Sequence, residues 1–355
     1  MRLWVFVGSY YAKYCLIILL ALEFFFLGID SLQYAEKFPS AANLILLFFV
    51  YDGLYAINYT LPISLLLGLV LFYTAFIRSN QYTALLSIGY SIKEILKPML
   101  WINGLCILIY VGLNATPFVY MQEKAQSIIY KDNTNSISEN LLVKYNNDYI
   151  YFGKINPLLQ NAQNVKIFML KDNQLNTFAQ APSASFEGKF WVLHSVTLST
   201  LPTPLLLGKK GLSVQKLLLL KTLKGFRPKV LDTIYQNKPA VSITDAFRSL
   251  HVLYRQKADT KKIRGFLYVS IFLPFFVPLT AILIAYYTPN LARYENLALL
   301  SLKFILLSLI LWGLFFAMGK FSISGVFLPE VGVLAPFIIL IGVSFYHYTR
   351  LNKRL

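Results

Sequence analysis

The chain has 355 residues, of which 57% are hydrophobic and only 14% charged. That balance excludes an ordinary soluble domain and points to an integral membrane protein. The net charge of +17 raises a nucleic-acid reading, which its distribution along the chain argues against.

The first apolar run, Tyr14 to Ile29, follows Arg2 and Lys13, and no small-residue cleavage site comes after it. It is expected to be a retained anchor rather than a removed signal peptide. A span needs roughly 20 mostly apolar residues, and six segments qualify, at about 14–33, 54–77, 98–120, 265–288, 297–318 and 331–349. The run Asn43–Val50 is too short to cross alone and either lengthens the second span or lies at the interface. Cys15 and Cys106 fall inside apolar runs and read as small packing residues rather than a disulfide.

An even number of spans puts both termini on one side. Arg2, Lys13, Arg78, Lys93, Lys97, Arg293, Arg350, Lys353 and Arg354 fall at ends or connections on that side; the opposite short connections offer Lys37 and Lys320 beside Glu36 and Glu330. The positive-inside rule then places both termini in the cytoplasm. Residues 1–120 are expected to hold spans one to three, and 263–355 spans four to six.

Residues 121–262 are expected outside the cytoplasm. "YIYFGKI" (149–155), "VKIFML" (165–170) and "SFEGKFWVLHSVTL" (185–198) read as strands, the last a hairpin turning at Glu187-Gly188. They predict an all-β sandwich or roll with two layers. "SITDAFRSLHVLYRQKADTKK" (242–262) then reads as a helix capped by Ser242 with Asp245 three residues on. This segment carries 20 Lys or Arg against 9 Asp or Glu, which suits an anionic ligand or headgroup, or simply a solvated basic surface.

No G-x-x-x-x-G-K-[ST], H-E-x-x-H, G-x-S-x-G or Cys-x-x-Cys motif is present, and three scattered histidines do not suggest a metal site. The chain is expected to be no enzyme and to bind no cofactor itself. Active movement of a substrate would draw its energy from a partner or an ion.

"LPISLLLGLVLFYTAFIRSNQYTALLSIGYS" (61–91), followed by "KPML", resembles the second-span and coupling-helix region of the LptF/LptG permeases. "LPEVGVLAPFIIL" (328–340) resembles that family's approach to its last span, and "LNTFAQAPSASFEGKFWVL" its strand, turn and W-x-L pattern. "GIDSLQYAEK" (28–37) is slightly closer to LptG than to LptF. The resemblance implies an α-helical polytopic membrane protein with six transmembrane helices and an inserted, jellyroll-like β-domain in the periplasm. It implies a permease subunit of an ABC exporter in the inner membrane of a Gram-negative bacterium. The partners implied are a sister permease, a cytoplasmic ATPase dimer that binds the ATP, and periplasmic jellyroll bridge proteins; the substrate implied is lipopolysaccharide, with no nucleic acid.

On that resemblance, residues 79–97 would be the coupling helix. Leu85, Ile88, Ile92 and Ile95 recur on one face, suited to seat against spans two and three. Gln81, Tyr82 and Gly89 would then dock on the ATPase. The family has an acidic residue where this chain has Gln81, so Glu94 is the candidate substitute. Without a partner the same segment would be an interfacial helix.

Ionisable residues inside spans are costly and are functional candidates. Glu23 falls midway along span one and Lys303 about six residues into span five. In the family these spans form the lateral gates, so both are expected to face the gate, paired with each other or with a sister-subunit charge. The bland alternatives are a hydrogen-bonded Glu23 and a Lys303 that snorkels to the interface. Asp30, Glu36 and Lys37 lie where the lipid would enter, Asp30 and Lys37 being the headgroup candidates. Phe24, Phe25, Phe26, Phe72, Phe315 and Phe316 are candidate cavity residues, with packing or lipid-facing surface as the alternative.

Two rivals remain open at the level of sequence. A secondary transporter of an amphiphile would use paired Gly/Pro-broken spans, and Pro274, Pro278 and Pro289 supply one such break. A membrane scaffold would merely present the β-domain.

Overall fold

The computed structural model describes residues 2–130, 138–145, 148–156, 160–171, 174–188, 190–202, 211–224, 226, 241–255, 260–290 and 296–354. Arg293 and residues 256–259 of the expected 242–262 helix lie outside the described residues. The chain divides into a helical unit (Met1–Ile129, Ser242–Thr244 and Lys261–Leu355) and a β-rich unit (Tyr130–Val241 and Asp245–Thr260).

Among the described residues the helical unit holds six helices long and apolar enough to cross a membrane. The first is α1 (Arg2–Tyr34). The second, α2 (Ala42–Arg78), absorbs the Asn43–Val50 run, which lengthens this span, the first of the two readings open for it. Pro62 lies inside α2 without ending it, as neighbouring helices allow in a membrane bundle. The short α3 (Gln81–Ser87) precedes α4 (Ile92–Asn114), and α5 (Met121–Ile129) follows.

The fourth span is broken. α7 (Lys261–Ile271) gives way to a 3₁₀ turn, Leu273–Phe275, before α8 (Phe276–Tyr287). Pro274 supplies the physical cause, since it lacks a helix donor and crowds the preceding turn. The fifth span, α9 (Leu297–Ser324), is capped by Asn296, which accepts from the N–H groups of Ala298 and Leu299, and ends on Gly325 at φ 85°. A π-turn, Glu330–Leu334, opens the last span, α10 (Ala335–Arg350).

The bundle is held by close approaches and buried polar groups rather than by apolar side chains alone. A Cβ on Gly68 would fall 2.8 Å from the Cα of Cys15, so α1 and α2 touch backbone to backbone there. The fully buried Tyr11 hydroxyl donates to the Leu65 carbonyl at 3.0 Å and meets the side chain of Asn103. The "LPEVGV" segment locks onto α7 and α9. Glu330 pairs with Arg264, and Cβ atoms on Gly332 and Gly265 would collide with the Ser322 side chain and carbonyl. Cys15 and Cys106 are both free thiols.

The β-unit contains β1 (Ser138–Tyr145), β2 (Asp148–Asn156), β3 (Asn161–Lys171), β4 (Gln174–Glu187), β5 (Phe190–Thr200) and β6 (Ser213–Thr222). They pair antiparallel in sequence order. The expected hairpin is present: Glu187 pairs with Phe190 and Gly188 adopts φ 60°. The all-β domain expected between spans three and four is present, and among the described residues it is one six-stranded antiparallel meander. The short connections after β1, β2, β3 and β4 can join only antiparallel neighbours. One face of the sheet forms the core, with Val143, Phe152, Val165, Ala181 and Leu193 gathered around Trp191. Trp191 is fully buried and donates Nε1–H to the Phe226 carbonyl at 2.7 Å. The helix expected after Ser242 is α6 (Ile243–Arg255).

Candidate functional site

The end of the bundle that carries α3 does not form the single helix expected over 79–97. Asn80, at φ 58°, starts α3, and the helix ends after Ser87. Gly89 then takes φ 103°, while its N–H donates to Leu86 and that of Tyr90 to Leu85. This is a Schellman stop, and the positive φ at that position is what glycine permits. The chain restarts at once: Ser91 accepts from the Glu94 N–H, and the Glu94 carboxylate accepts from the Ser91 N–H at 2.8 Å. That capping box begins α4.

The turn therefore rearranges the expected docking face. Tyr82 is fully buried, its ring 5.9 Å from Tyr73 and 6.2 Å from Phe76, so it anchors the turn instead of presenting itself to a partner. Ile92 and Ile95 seat in the bundle core, with Leu85 half-buried against it. Ile88 does not seat with them; it stands 74% exposed at the tip, because the Schellman stop swings it off the helical stripe. Gln81 is half-buried and Gly89 exposed. Glu94 commits its carboxylate to the cap, a role for which the S-x-x-E spacing at 91–94 is the sequence signal. Thr83 ties α3 down by donating to the Asn290 carbonyl at 2.8 Å.

The second candidate region lies between α1 and α2. Glu23 accepts a hydrogen bond from Thr60 and is not paired with Lys303, which is exposed on α9 and forms no ion pair among the described residues. Phe24 and Phe25 point outward, 73% and 68% exposed. Phe26 packs against Tyr55 and Tyr59, and Tyr59 in turn meets Phe316 on α9. Phe72 and Phe315 are core residues, Phe315 stacking on Phe276 at 5.5 Å. Of the six phenylalanines, then, Phe26 and Phe316 form a cross-helix aromatic ladder, two face outward and two are buried.

Asp30 on α1 lies beside Asp52 on α2, a residue only 5% exposed whose Oδ2 has no hydrogen-bond partner among the described residues. Of the two headgroup candidates, Asp30 sits beside Asp52, while Lys37 lies exposed in the turn Ala35–Lys37. Asp52 lies just ahead of the 54–77 run that hydropathy marks, which is why no sequence signal singles it out. With the span lengthened through the 43–50 run, Asp52 becomes an intramembrane carboxylate and a candidate in its own right.

Among individually characterised proteins none matches the chain. The family model for the lipopolysaccharide export system permease LptF/LptG matches residues 5–350, from the start of α1 to the end of α10. The match takes in both candidate regions and the intervening β-unit, and so the chain belongs to the LptF/LptG family of lipopolysaccharide export permeases.

Proposed function

We propose that this chain is one permease subunit of an ABC exporter that lifts lipopolysaccharide from the inner membrane and hands it to a periplasmic bridge. The β-unit lies in the periplasm and both termini in the cytoplasm. A sister permease completes the cavity, and a cytoplasmic ATPase dimer supplies the energy. The observation that carries the reading is the turn at Ile88-Gly89. A large apolar side chain is held out at the bundle end on a backbone fixed from both sides, by the buried Tyr82 and by the Ser91–Glu94 cap. An apolar knob on a rigid base is what a helix-in-groove contact with a partner requires.

The rival of a self-contained secondary transporter draws support from the break at Pro274. A matching break in the first half would be needed, and α2 runs unbroken through Pro62. The test is purification of the tagged chain from native membranes in mild detergent. The expected result is stoichiometric recovery of an ATPase and a sister permease, with Ile88→Asp releasing the ATPase while retaining the sister subunit. Recovery of a stable, monodisperse chain alone would overturn the exporter reading.

A further inference from the structure

The first turn of α4 has a second support that the sequence motif does not reveal. A helix start leaves its first N–H groups without intrahelical acceptors. Ser91 takes the N–H of Glu94, whereas the N–H of Lys93 donates to the side-chain oxygen of Asn352, at 3.4 Å, from just beyond the end of α10. The Lys93 ammonium also lies 5.0 Å from the centre of the Tyr348 ring. Leu351, only 1% exposed, shares the core with Ile92 and Ile95. The end of the last span thus caps, pins and packs against the element that immediately follows Gly89.

The other flank of the turn is held in the same manner. Thr83 is tied to Asn290, three residues beyond α8. The end of α8 is tied back to α10, with the His347 ring 4.5 Å from Tyr286 and its Nε2 3.2 Å from the Tyr287 hydroxyl. Both edges of a turn made by the first half of the chain are therefore gripped by the second half.

We propose that Asn352 and Tyr348 are positioning residues for the docking turn, so that a push on Ile88-Gly89 is carried into the fourth and sixth spans as well as the second and third. This rests on the docking role proposed above. Removal of the Asn352 acceptor leaves Ile88 and the docking knob in place but frees the start of α4 from α10. ATP hydrolysis then continues while less of it reaches the spans.

The test uses the whole complex in proteoliposomes containing lipopolysaccharide, read as lipid extracted per ATP hydrolysed. Asn352→Leu should retain the ATPase at wild-type stoichiometry and lower extraction per ATP by about fivefold or more, the lower range of ordinary inter-site coupling. Asn352→Asp keeps the acceptor and adds a charge favourable at a helix N-terminus, and should restore the ratio. An unchanged ratio in Asn352→Leu, or an Asn352→Asp as defective as Asn352→Leu, overturns the proposal. If Asn352→Leu fails to assemble with the sister permease, Tyr348→Leu, which removes the ring beneath Lys93 and keeps an apolar side chain against the core, is judged by the same fall in ratio. A wild-type complex that lacks an ATPase would instead overturn the exporter reading itself, so the two failures are distinguishable.

Discussion

The helical unit and the β-unit use the same apolar side chains for opposite purposes. In the β-unit Phe152, Val165 and Leu193 are fully buried around Trp191, and water drives them there. In the helical unit Phe24, Leu32 and Trp101 stand 73%, 80% and 67% exposed, while Ser64, Asn103, Thr280 and Ser344 are buried to 0–1%. Lipid is as apolar as leucine, so what holds the spans is close packing and hydrogen bonding rather than transfer from water. A phenylalanine is therefore strong evidence of core in one unit and almost none in the other. This is why the six cavity candidates scatter among core, ladder and surface.

Two fully buried phenylalanines test that difference directly. Phe152→Ala in β2 removes a ring that meets Trp191 at 5.5 Å and Phe226 at 6.2 Å. It should cost about 3–5 kcal/mol, transfer and cavity terms together. Phe276→Ala in α8 removes a ring stacked on Phe315, yet the transfer term is largely absent in a membrane, so the loss should be clearly smaller. Regional hydrogen exchange of the detergent-solubilised protein reads both losses. Equal losses would remove the contrast between the units.

A smaller effect probes the backbone contact in the helical unit. Gly68→Ala places a Cβ 2.8 Å from the Cα of Cys15 and 2.9 Å from its amide nitrogen, where no side-chain rotation gives relief. Overpacking of this kind costs roughly 1–3 kcal/mol, and the loss should appear as faster exchange in α1 and α2 with the β-unit unchanged. Gly28→Ala, with nothing within 4 Å of the added methyl, is the matched control and should be silent. A Gly68→Ala variant as silent as Gly28→Ala would show that the two helices separate freely.

The fold was more legible than the site. Hydropathy alone locates six spans, because a bilayer demands continuous apolar runs, and the Glu187-Gly188 turn marks its hairpin locally. Strand order was not legible: alternation says which residues share a face, not which strand lies beside which. The break within 79–97 turns on a single residue, Gly89, whose left-handed turn a periodicity argument passes straight through. Asp52 was lost to a span boundary. The Lys93–Asn352 bond joins residues 259 positions apart, and no local pattern announces it.

The smallest expected effect belongs to the β-unit and concerns Asp148, at the start of β2. Burial raises its carboxyl above the usual value, while the hydrogen bond accepted from the Leu170 N–H, at 3.3 Å, pulls the other way and only partly offsets it. A carboxyl raised on folding binds its proton more tightly in the folded state, so its charge is a penalty. That penalty is absent below the unfolded value of about 3.9, grows as pH rises through the folded value, and is complete above it. An asparagine side chain would keep the acceptor for Leu170 and carry no charge. Asp148→Asn should therefore stabilise the β-unit at pH 7, within about 0.5 kcal/mol for a position that is only half-buried, with the gain fading towards pH 4. Urea midpoints of β2 and β3, followed by hydrogen exchange at the two pH values, measure it. A loss at pH 7 would mean that the charged acceptor on Leu170 outweighs burial, and that even this water-facing edge is held, like the spans, by its polar bonds.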